Sequence, residues 1–438
     1  MIPIQKAEVD LRAVEVKAKI EEDILQPLTS LSGRFYLAVA LLGLLAAWGA
    51  YAWATQLRYG MGVTGLNRPI FWGVYITDFV FFIGISHAGT LISSILRITK
   101  TEWRRVFTRI AEAVTVFSLP FGALSIIFDM GRPDRLLNVL KTPHLTSPII
   151  WDVLCISTYL FTSCVYFYLA LIPDFAVCRD RLRNVSSFRA GLYRILAAGW
   201  TGSERQWRTM DRTMRGLCIF LFFLVVSVHT NVSFVFGMTL QPGWHTAVIG
   251  PYFVLGAVYS GVATVILIAA LLRKVYHLEA YLTPRHFDLI GKFLFALACF
   301  WFYFTFVEFL TTFYGQEPAH MRIFTAKFFQ EFSFLFWFMF ATTFVVPVVI
   351  LAVRRTIPWL VVASILINIG MWLERYTIIV PSLSRPRLPY PPGVYFPSWV
   401  EWSIMIGSFA GFSLLYVIFA KFFPVLTIWE VKEAKPLD

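Results

Sequence analysis

Ten long apolar segments, separated by short polar connections, decide what this chain can fold into. A helix that crosses a bilayer needs about 20 consecutive apolar residues, because each residue adds about 1.5 Å and the hydrocarbon core is about 30 Å thick. The segments of suitable length are 35–56, 70–96, 107–128, 149–172, 216–238, 246–272, 288–313, 328–352, 357–380 and 401–423. Connections rich in Gly and Pro, such as residues 65–69 and 386–397, separate them. The sequence therefore predicts an all-α polytopic membrane protein with about ten spans.

Composition supports the same fold class. The chain is 58% hydrophobic and 15% charged, whereas soluble domains carry about 25% charged residues. The net charge of +12 would suit a nucleic-acid-binding protein. However, the basic residues lie between apolar segments rather than on one face, which is the distribution expected of loops that flank membrane spans.

The positions of the basic residues predict an orientation. Of the 38 Lys and Arg residues, 28 lie in the connections on the side of the two termini, against 9 on the other side, and Arg375 lies within a span. Because cytoplasmic loops carry the excess of positive charge, we expect both termini in the cytoplasm of a bacterium and the spans in its inner membrane. The predicted units are a cytoplasmic segment 1–34, a membrane domain 35–424 and a cytoplasmic tail 425–438.

Two further features concern the arrangement of helices. Residues 8–25 have helical periodicity, with apolar and charged residues alternating by face, which predicts an interfacial or partner-facing helix. Spans 2–5 and 6–9 are expected to form two related four-helix bundles, because WGVY at 72–75 and GPYF at 250–253 occupy similar places in spans 2 and 6.

The positions of the five cysteines and seven histidines limit which cofactors the chain can hold without a partner. No two cysteines are at C-x-x-C spacing, so we expect no c-type haem, iron–sulfur cluster or zinc site, and no metal ligand is predicted. Haem b needs two facing imidazoles. Only His87 and His229 lie within spans, and counting residues from the span ends puts them at different depths. We therefore expect no haem in this chain.

Ionisable side chains within the spans are the strongest functional signal, because each charge at the bilayer centre costs about 2.5–3.5 kcal/mol on insertion scales. Most are predicted on the side away from the basic loops, with His87 at or past the middle of its span. The main exception is Glu112, near the cytoplasmic side. The others are Asp78, His87, Asp129, Asp152, His229, Glu308, Glu374, Arg375 and Glu401.

Each of these residues also has a purely structural interpretation. Asp129, Asp152 and Glu401 lie at span ends and suit helix caps. Glu374 and Arg375 suit ion pairs with neighbouring helices, and the two histidines suit interhelical hydrogen bonds. The set as a whole favours function, because every member adds to the cost of insertion.

A quinone head group is a substrate that such a cluster suits. Each quinone carbonyl needs a hydrogen-bond partner, and two-electron reduction takes up two protons, which an imidazole and a carboxylate can transfer. The aromatic spans can supply an apolar groove for the isoprenoid tail. The electrons need a redox centre that this chain does not supply, so we expect one in a partner.

Several motifs resemble those of one membrane-protein family. The longest is WGVYITDFVFFIGISHAGTLIS at 72–93. Others are Ser147-Pro148 with Trp151-Asp152, Ser227–Thr230, Gln241–His245, Glu308–Thr312, Trp372–Arg375 and Ser398–Trp402. Over residues 65–425 the chain resembles the NrfD/PsrC family of polysulfide-reductase membrane subunits, with most likeness to the ActC-type subunit of alternative complex III and to membrane subunits of menaquinone reductase complexes.

The resemblance implies ten helices in two four-helix bundles, with no cofactor bound in this subunit. It implies a quinone site, with menaquinone as the expected carrier, in the first bundle near the extracytoplasmic face. His87, Asp152 and Asp129 match positions associated with that site, with His229 as a further binding residue. Asp129 departs from the family pattern, in which relatives often carry another residue before Gly-Arg-Pro.

The resemblance also implies partners and proton transfer. The expected partners are an extracytoplasmic iron–sulfur subunit, a multihaem cytochrome c or molybdopterin-like subunits, and other membrane subunits. Asp78 and Glu112 are expected to serve a proton path, to which the remaining ionisable residues of the spans, Glu308, Glu374, Arg375 and Glu401, are assigned. Such paths would couple quinone chemistry to proton translocation.

Three alternatives stay open at this point. The chain could serve quinone reduction rather than quinol oxidation, because direction depends on the potentials of the partners. It could be an ion-translocating module without quinone chemistry. It could also be an anchor for soluble redox subunits, although an anchor needs no ionisable cluster within the bilayer.

Overall fold

The computed structural model describes residues 2–30, 32–98, 102–182, 185–387 and 391–433, and over these ranges the chain is helical without a β-strand. Numbered in chain order, the helices are α1 (Ile2–Thr29), α2 (Gly33–Tyr59), α3 (Val74–Ile98), α4 (Arg105–Asp129), α5 (Asn138–Lys141), α6 (Pro148–Arg181), α7 (Ser187–Leu196), α8 (Glu204–Gly237), α9 (Ile249–Val275), α10 (Pro284–Gly315), α11 (Pro318–Phe328), α12 (Ser333–Phe340), α13 (Val346–Val353), α14 (Ile357–Ser384), α15 (Trp399–Phe422) and α16 (Ile428–Glu433).

The predicted fold class is confirmed. Within the described ranges, nine helices are long and apolar enough to cross a membrane, with α12 and α13 forming one of them across a π-helical turn. Helix α3 is the tenth, with a shorter apolar stretch at Val74–His87. Large apolar side chains on these helices face outward, as lipid-facing residues do: Leu44, Phe161 and Phe223 are all more than half exposed.

Two closed rings of helices make up the body of the protein. Helices α3, α4, α6 and α8 pack in sequence around one core, and α9, α10, α12–α13 and α14 pack around a second. The rings join mainly through α3 against α9. These rings, called the first and second bundle below, correspond to the predicted spans 2–5 and 6–9.

Helices α2 and α15 form a pair beside the first bundle. Their backbones approach closely where Gly49 meets Gly407, since a Cβ on Gly49 would lie 2.8 Å from the Gly407 Cα. Small residues at a crossing allow this approach in a membrane, where dispersion and not water exclusion drives helix packing. Helix α15 also packs against α3 and α4, and the ring centroids of Phe409 on α15 and Phe82 on α3 are 4.7 Å apart.

The two terminal helices dock on one membrane face. On α1, Ile24, Leu25 and Leu28 are buried, and Glu21 forms ion pairs with Arg181 and Lys432. Helix α16 contacts α1, α4 and α6. We call this side the terminal face and the other the opposite face. The helix predicted at 8–25 is present within α1, and these contacts tie it to the body of the chain.

Helices α6 and α8 extend further toward the terminal face than the predicted spans. The predicted span 149–172 ended before Asp174, which was wrong, and the charge count assigned Arg109 to a basic connection although it lies at the start of the predicted span 107–128. Both side chains are fully buried within helices, with Arg109 Nη2 2.9 Å from Asp174 Oδ2. A buried charge is tolerated when it is paired, so a helix can continue past its apolar stretch.

Candidate functional site

A pair of histidines lies at the centre of the first bundle. His87 on α3 and His229 on α8 are both fully buried, and their ring centroids are 4.6 Å apart in an edge-to-face arrangement. The expectation that they lie at different depths was wrong. Counting residues from span ends assumes that spans begin at the same height and run parallel, and helix packing requires neither.

Backbone geometry sets the tautomer assigned to His87. Its Nδ1 lies 2.5 Å from the carbonyl oxygen of Ile83, one helical turn earlier. Because a carbonyl only accepts, Nδ1 carries the proton and Nε2 carries the lone pair. The His87 ring is also within reach of the backbone of Val225 on α8, on its side away from the α3 backbone.

His229 has no such arrangement. Neither of its ring nitrogens has a hydrogen-bond partner among the described residues. One nitrogen of a neutral imidazole must carry a hydrogen, so this ring holds a buried donor without an acceptor, which costs about 1–3 kcal/mol. A buried polar group left this way calls for an explanation, and a ligand-binding role is one.

Tyr159 on α6 completes the group. Its ring centroid is 5.2 Å from that of His87, and its hydroxyl donates to the carbonyl oxygen of Ser86 at 2.9 Å. The Tyr159 and Thr90 hydroxyls are 2.8 Å apart. Tyr159 was missed by sequence reasoning. Its signal was the seven-residue spacing from Asp152, which puts both residues on one face of α6.

Asp152 lies near the start of α6, toward the opposite face. Its side chain is 6% exposed, and Oδ1 has no hydrogen-bond partner among the described residues. One turn along α6, Cys155 accepts a hydrogen bond from Asn231 at 3.0 Å, and Asn231 is two residues from His229. Asp152 and Tyr159, the neighbour of the His87 ring, lie on one face of α6.

A second group of acids surrounds Tyr75 at the opposite face. Tyr75 lies within electrostatic reach of Asp78, Asp129 and Glu401, and its hydroxyl donates to Gln56 at 2.6 Å. Asp129 ends α4, with its Oδ1 buried and without a partner in the described part of the chain. No hydrogen bond or ring contact between described residues joins Asp129 to Asp152 or to His87.

Asp78 and Glu401 have defined structural partners. Asp78 Oδ1 accepts from the indole N–H of Trp372 on α14 at 2.7 Å, so it joins the two bundles. Glu401 closes a capping box at the start of α15. It also accepts from the Tyr395 hydroxyl at 2.5 Å and from the Gly65 amide at 2.6 Å. Burial and the Glu401 charge raise the pKa of Tyr395, so this phenol remains a donor.

The second bundle holds a buried pair of opposite charges on α14. Glu374 and Arg375, adjacent on α14, are buried and in contact with each other. Glu374 Oε1 accepts from the indole N–H of Trp301 at 2.8 Å. The Arg375 guanidinium lies against Gly256 on α9, where a Cβ would come within 2.9 Å of Nη2. Glycine at this position leaves the space that the guanidinium fills.

A small cavity adjoins this charged group. Its volume is about 30 Å³, enough for a water molecule, and its lining includes Tyr252, Glu308, Lys327 and Glu374. Lys327 lies on α11, between spans, and burial lowers its pKa to about 8, against the attraction of Glu308. Sequence reasoning missed Lys327 because it counted this residue among the loop charges.

Glu112 lies apart from these groups. It is buried on α4, nearer the terminal face than Asp129 at the other end of the same helix. The described structure thus divides the predicted site residues into a histidine group with Asp152, an acid group around Tyr75 and a charged group in the second bundle.

Comparison with known proteins decides the family. The family model described as "Polysulphide reductase, NrfD" matches residues 62–386. The chain belongs to the NrfD family. The match covers both bundles, including the histidine pair and the charged group of the second bundle.

Relatives of this NrfD-family chain are membrane subunits of several complexes. A protein of Halobacterium salinarum, named as a dimethyl sulfoxide reductase membrane subunit, is 26% identical over 83% of this chain and 80% of its own length. The Hdr-like menaquinol oxidoreductase integral membrane subunit of Archaeoglobus fulgidus is 26% identical over 96% of this chain and 99% of its own. The menaquinone reductase integral membrane subunit of Nitratidesulfovibrio vulgaris is 22% identical over 87% and 90%.

These relatives support a coarse functional statement. This chain is similar over nearly its whole length to integral membrane subunits of oxidoreductase complexes, two of which are named for menaquinol or menaquinone. It is therefore an NrfD-family membrane protein of the kind found in quinone oxidoreductase complexes. The likeness to the ActC-type subunit of alternative complex III stays a prediction.

Proposed function

We propose that this chain binds quinone in its first bundle and exchanges electrons with an extracytoplasmic iron–sulfur subunit. The observation that carries the proposal is His229, a fully buried imidazole without a hydrogen-bond partner in the described structure, in ring contact with His87. Such a donor is costly unless a ligand uses it. The relatives named for menaquinol and menaquinone make menaquinone the carrier that we propose.

The chemistry assigns a role to each side chain. In the oxidising direction, a quinol loses two electrons and two protons to become a quinone. One O–H proton passes to His87 or His229 and the other to Asp152, and the two electrons pass to the partner's iron–sulfur cluster. In the reducing direction the same groups return the protons. Asp129 is a second carboxylate for proton exchange at the opposite face.

The close packing of the histidines requires a movement during binding. A head group that bonds to His87 must displace the His229 ring, since the two ring centroids are only 4.6 Å apart. The proposed route begins at Asp152, near the opposite face, and passes Tyr159 on the same face of α6. Small conformational changes that open a buried site to substrate are common in enzymes.

The remaining ionisable groups are proposed as a proton path. Asp78 joins the bundles at Trp372, and Glu112 lies on α4 toward the terminal face. In the second bundle, Glu308 and Glu374 line a cavity of water size, which suits proton transfer through a bound water, and Arg375 contacts Glu374. Glu401 is proposed as the entry at the opposite face, in addition to its capping role.

The orientation and partners follow from the same proposal. The basic terminal face is cytoplasmic, with the membrane domain at 35–424 in a bacterial inner membrane and the tail at 425–438 in the cytoplasm. The opposite face, where Asp152 and Asp129 lie, then meets the iron–sulfur subunit. A multihaem cytochrome c or molybdopterin-like subunits, with further membrane subunits, complete the electron path, and this chain binds no redox cofactor of its own.

One observation favours a second function, ion translocation without quinone. The charged group of the second bundle, with its cavity, contains no histidine among its described lining residues and could carry ions by itself. A chain of this kind would move protons in the absence of quinone and redox partners. An anchor, the remaining alternative, would do neither.

Substitution of His87 by Ala in the assembled complex tests the proposal. We expect quinone-dependent turnover to fall by about 10²–10⁴, the usual contribution of a positioned proton-transfer group. The matched control is His144→Ala, because His144 is an exposed histidine on the opposite face. Turnover should be unchanged in this control.

Unchanged turnover in an assembled His87→Ala complex would contradict the proposal. Proton movement that needs no quinone would favour the ion-translocating function. Turnover in both directions should be measured, because the relatives' names include a menaquinol oxidoreductase and a menaquinone reductase.

A further inference from the structure

Two histidines and a glutamate meet at the opposite face, outside the groups described above. His245 lies in the connection between α8 and α9, and His320 lies in the first turn of α11. Their Nε2 atoms are 3.0 Å apart, and Glu317 Oε2 is 3.6 Å from His320 Nε2. The three ligand atoms all lie within 4.8 Å of one another.

These distances match the edges of a coordination polyhedron. Zinc binds imidazole nitrogen at about 2.0–2.1 Å in tetrahedral sites. Two ligand atoms at the tetrahedral angle are then about 3.3 Å apart, and the two observed separations, 3.0 and 3.6 Å, bracket this value. Both nearest-neighbour distances therefore suit one metal ion.

A backbone contact prepares one of the histidines for metal binding. His245 Nδ1 lies 3.1 Å from the carbonyl oxygen of Gln241. The Nδ1–H group donates to this carbonyl, so Nε2 carries the lone pair and faces His320. Histidine ligands of metals commonly donate their other N–H in this way, which fixes the tautomer and the direction of the ring.

We propose that His245, His320 and Glu317 form a binding site for a divalent transition-metal ion of the zinc class, with a fourth position left for water or a partner's ligand. Two imidazoles and one carboxylate are donors that zinc accepts. The five cysteines excluded only cysteine-containing sites, so this inference replaces the expectation that the chain builds no metal site. It is independent of the proposed quinone chemistry.

The position of the site suggests what a bound ion does. A bound ion would link the start of α11 to the α8–α9 connection, which joins the first bundle to the second. The same connection contributes Gly243 to the lining of the second-bundle cavity, and α11 contributes Lys327. A bound ion would therefore fix the position of these two segments at the cavity. Metal binding should also raise the melting temperature of the chain.

One nearby charge opposes binding. The exposed side chain of Arg387 acts on His320 through its positive charge. Because this guanidinium is exposed, solvent and salt screen much of its effect. Substitution of Arg387 by Gln should tighten metal binding modestly, and by more at low ionic strength.

The test is a zinc titration of the purified full chain in lipid nanodiscs after removal of metal by a chelator. We expect one zinc ion per chain, with affinity reduced at least tenfold in His245→Ala and in His320→Ala, and by less in Glu317→Gln. His144→Ala is the matched control, being an exposed histidine on the same face, and should bind zinc as the parent does.

Cobalt provides a second measurement that needs no substitution. Co²⁺ added to the unaltered, metal-free chain should give the intense visible absorption of a four-coordinate site, and zinc should abolish this absorption. Equal zinc affinity in the parent and in the double variant His245→Ala/His320→Ala would overturn the proposal. So would a parent chain that binds neither ion, which would mean that the 3.0 Å contact is only a hydrogen bond between two neutral imidazoles.

Discussion

The two bundles share a helical frame but differ in the polar groups at their centres, the buried Arg109–Asp174 pair of the first bundle lying toward the terminal face. In the first bundle, His87, His229 and Tyr159 are neutral groups, and His229 lacks a hydrogen-bond partner among the described residues. In the second, Glu374 and Arg375 are in contact, and Trp301 donates to the carboxylate. Neutral groups with unused hydrogen-bonding capacity can accept a substrate. Arg375 also has buried nitrogen atoms without a hydrogen-bond partner among the described residues, but Glu374 and Arg375 balance each other's charge.

This difference predicts which property each bundle loses on substitution. Removing a group that awaits a substrate should reduce activity more than stability. Removing one member of a buried ion pair should reduce stability first, because the other member is left as an uncompensated charge in a medium of low dielectric constant.

The largest effect is expected for Asp152→Asn in the first bundle. Loss of the carboxylate removes one of the two proposed proton acceptors, so quinone-dependent turnover should fall by about 10²–10⁴. Steady-state turnover of the assembled complex measures this. Asp134→Asn is the control, because Asp134 is exposed on the same face and paired only with Arg132. Full activity of Asp152→Asn would remove this residue from the site.

Arg375→Ala in the second bundle should reduce stability by about 3–5 kcal/mol, since Glu374 is left without its charge partner. Thermal unfolding in detergent measures the change. The double variant Arg375→Ala/Glu374→Gln should recover part of the loss, because the carboxylate charge is gone as well. If His229→Ala destabilised the chain as much as Arg375→Ala does, the contrast between the bundles would fail.

The sequence predicted most of the architecture, and the exceptions have physical reasons. All ten spans were found because a bilayer imposes length and apolarity on every span. The depth of His229 relative to His87 was not predicted correctly, because it depends on where each helix begins and how the helices cross. The buried Arg109–Asp174 pair was also missed, because charge alone suggests a loop until its partner on another helix is known.

The candidate site was predictable in its residue types but not in its groupings. Both histidines and all of the named carboxylates were identified by their cost in lipid. The division of these residues into three groups could not be predicted, because it depends on tertiary contacts such as that between Asp78 and Trp372. A neutral residue such as Tyr159 costs little to insert into lipid. In a chain with 43 Phe and 18 Tyr residues, nothing in the sequence therefore singled it out.

Lys327→Met should change the pH dependence of stability. The pKa of Lys327 is lowered from 10.5 to about 8 in the folded chain, so between these values the unfolded chain binds the proton and the folded chain does not. Stability of the parent should therefore rise with pH through this window relative to the variant. The variant should be the more stable form at pH 7.

Melting temperatures of the parent and of Lys327→Met, measured from about pH 7 to about pH 10, check this prediction. Lys292→Met is the matched control, because Lys292 is exposed and paired with Asp288 on α10. A difference between parent and Lys327→Met that stays constant with pH would show that Lys327 is charged in the folded chain throughout the range.

The smallest effect is expected for Tyr159→Phe. Its hydroxyl bonds to Ser86 and Thr90 would be lost, at a cost of about 1 kcal/mol in stability. If the hydroxyl orders the approach of quinone to His87, turnover should decrease by more than the small loss of stability alone would cause. Tyr168→Phe, which removes a more exposed α6 hydroxyl bonded to Leu196, is the control.

Photolabelling of the assembled complex with a light-activated menaquinone analogue, followed by peptide mapping, tests the central claim most directly. We expect labels on α3, α6 and α8 near His87, Asp152 and His229, reduced by excess menaquinone and by His229→Ala. Labels confined to the second bundle, or unaffected by menaquinone, would contradict the claim that the partnerless imidazole of the first bundle awaits a quinone.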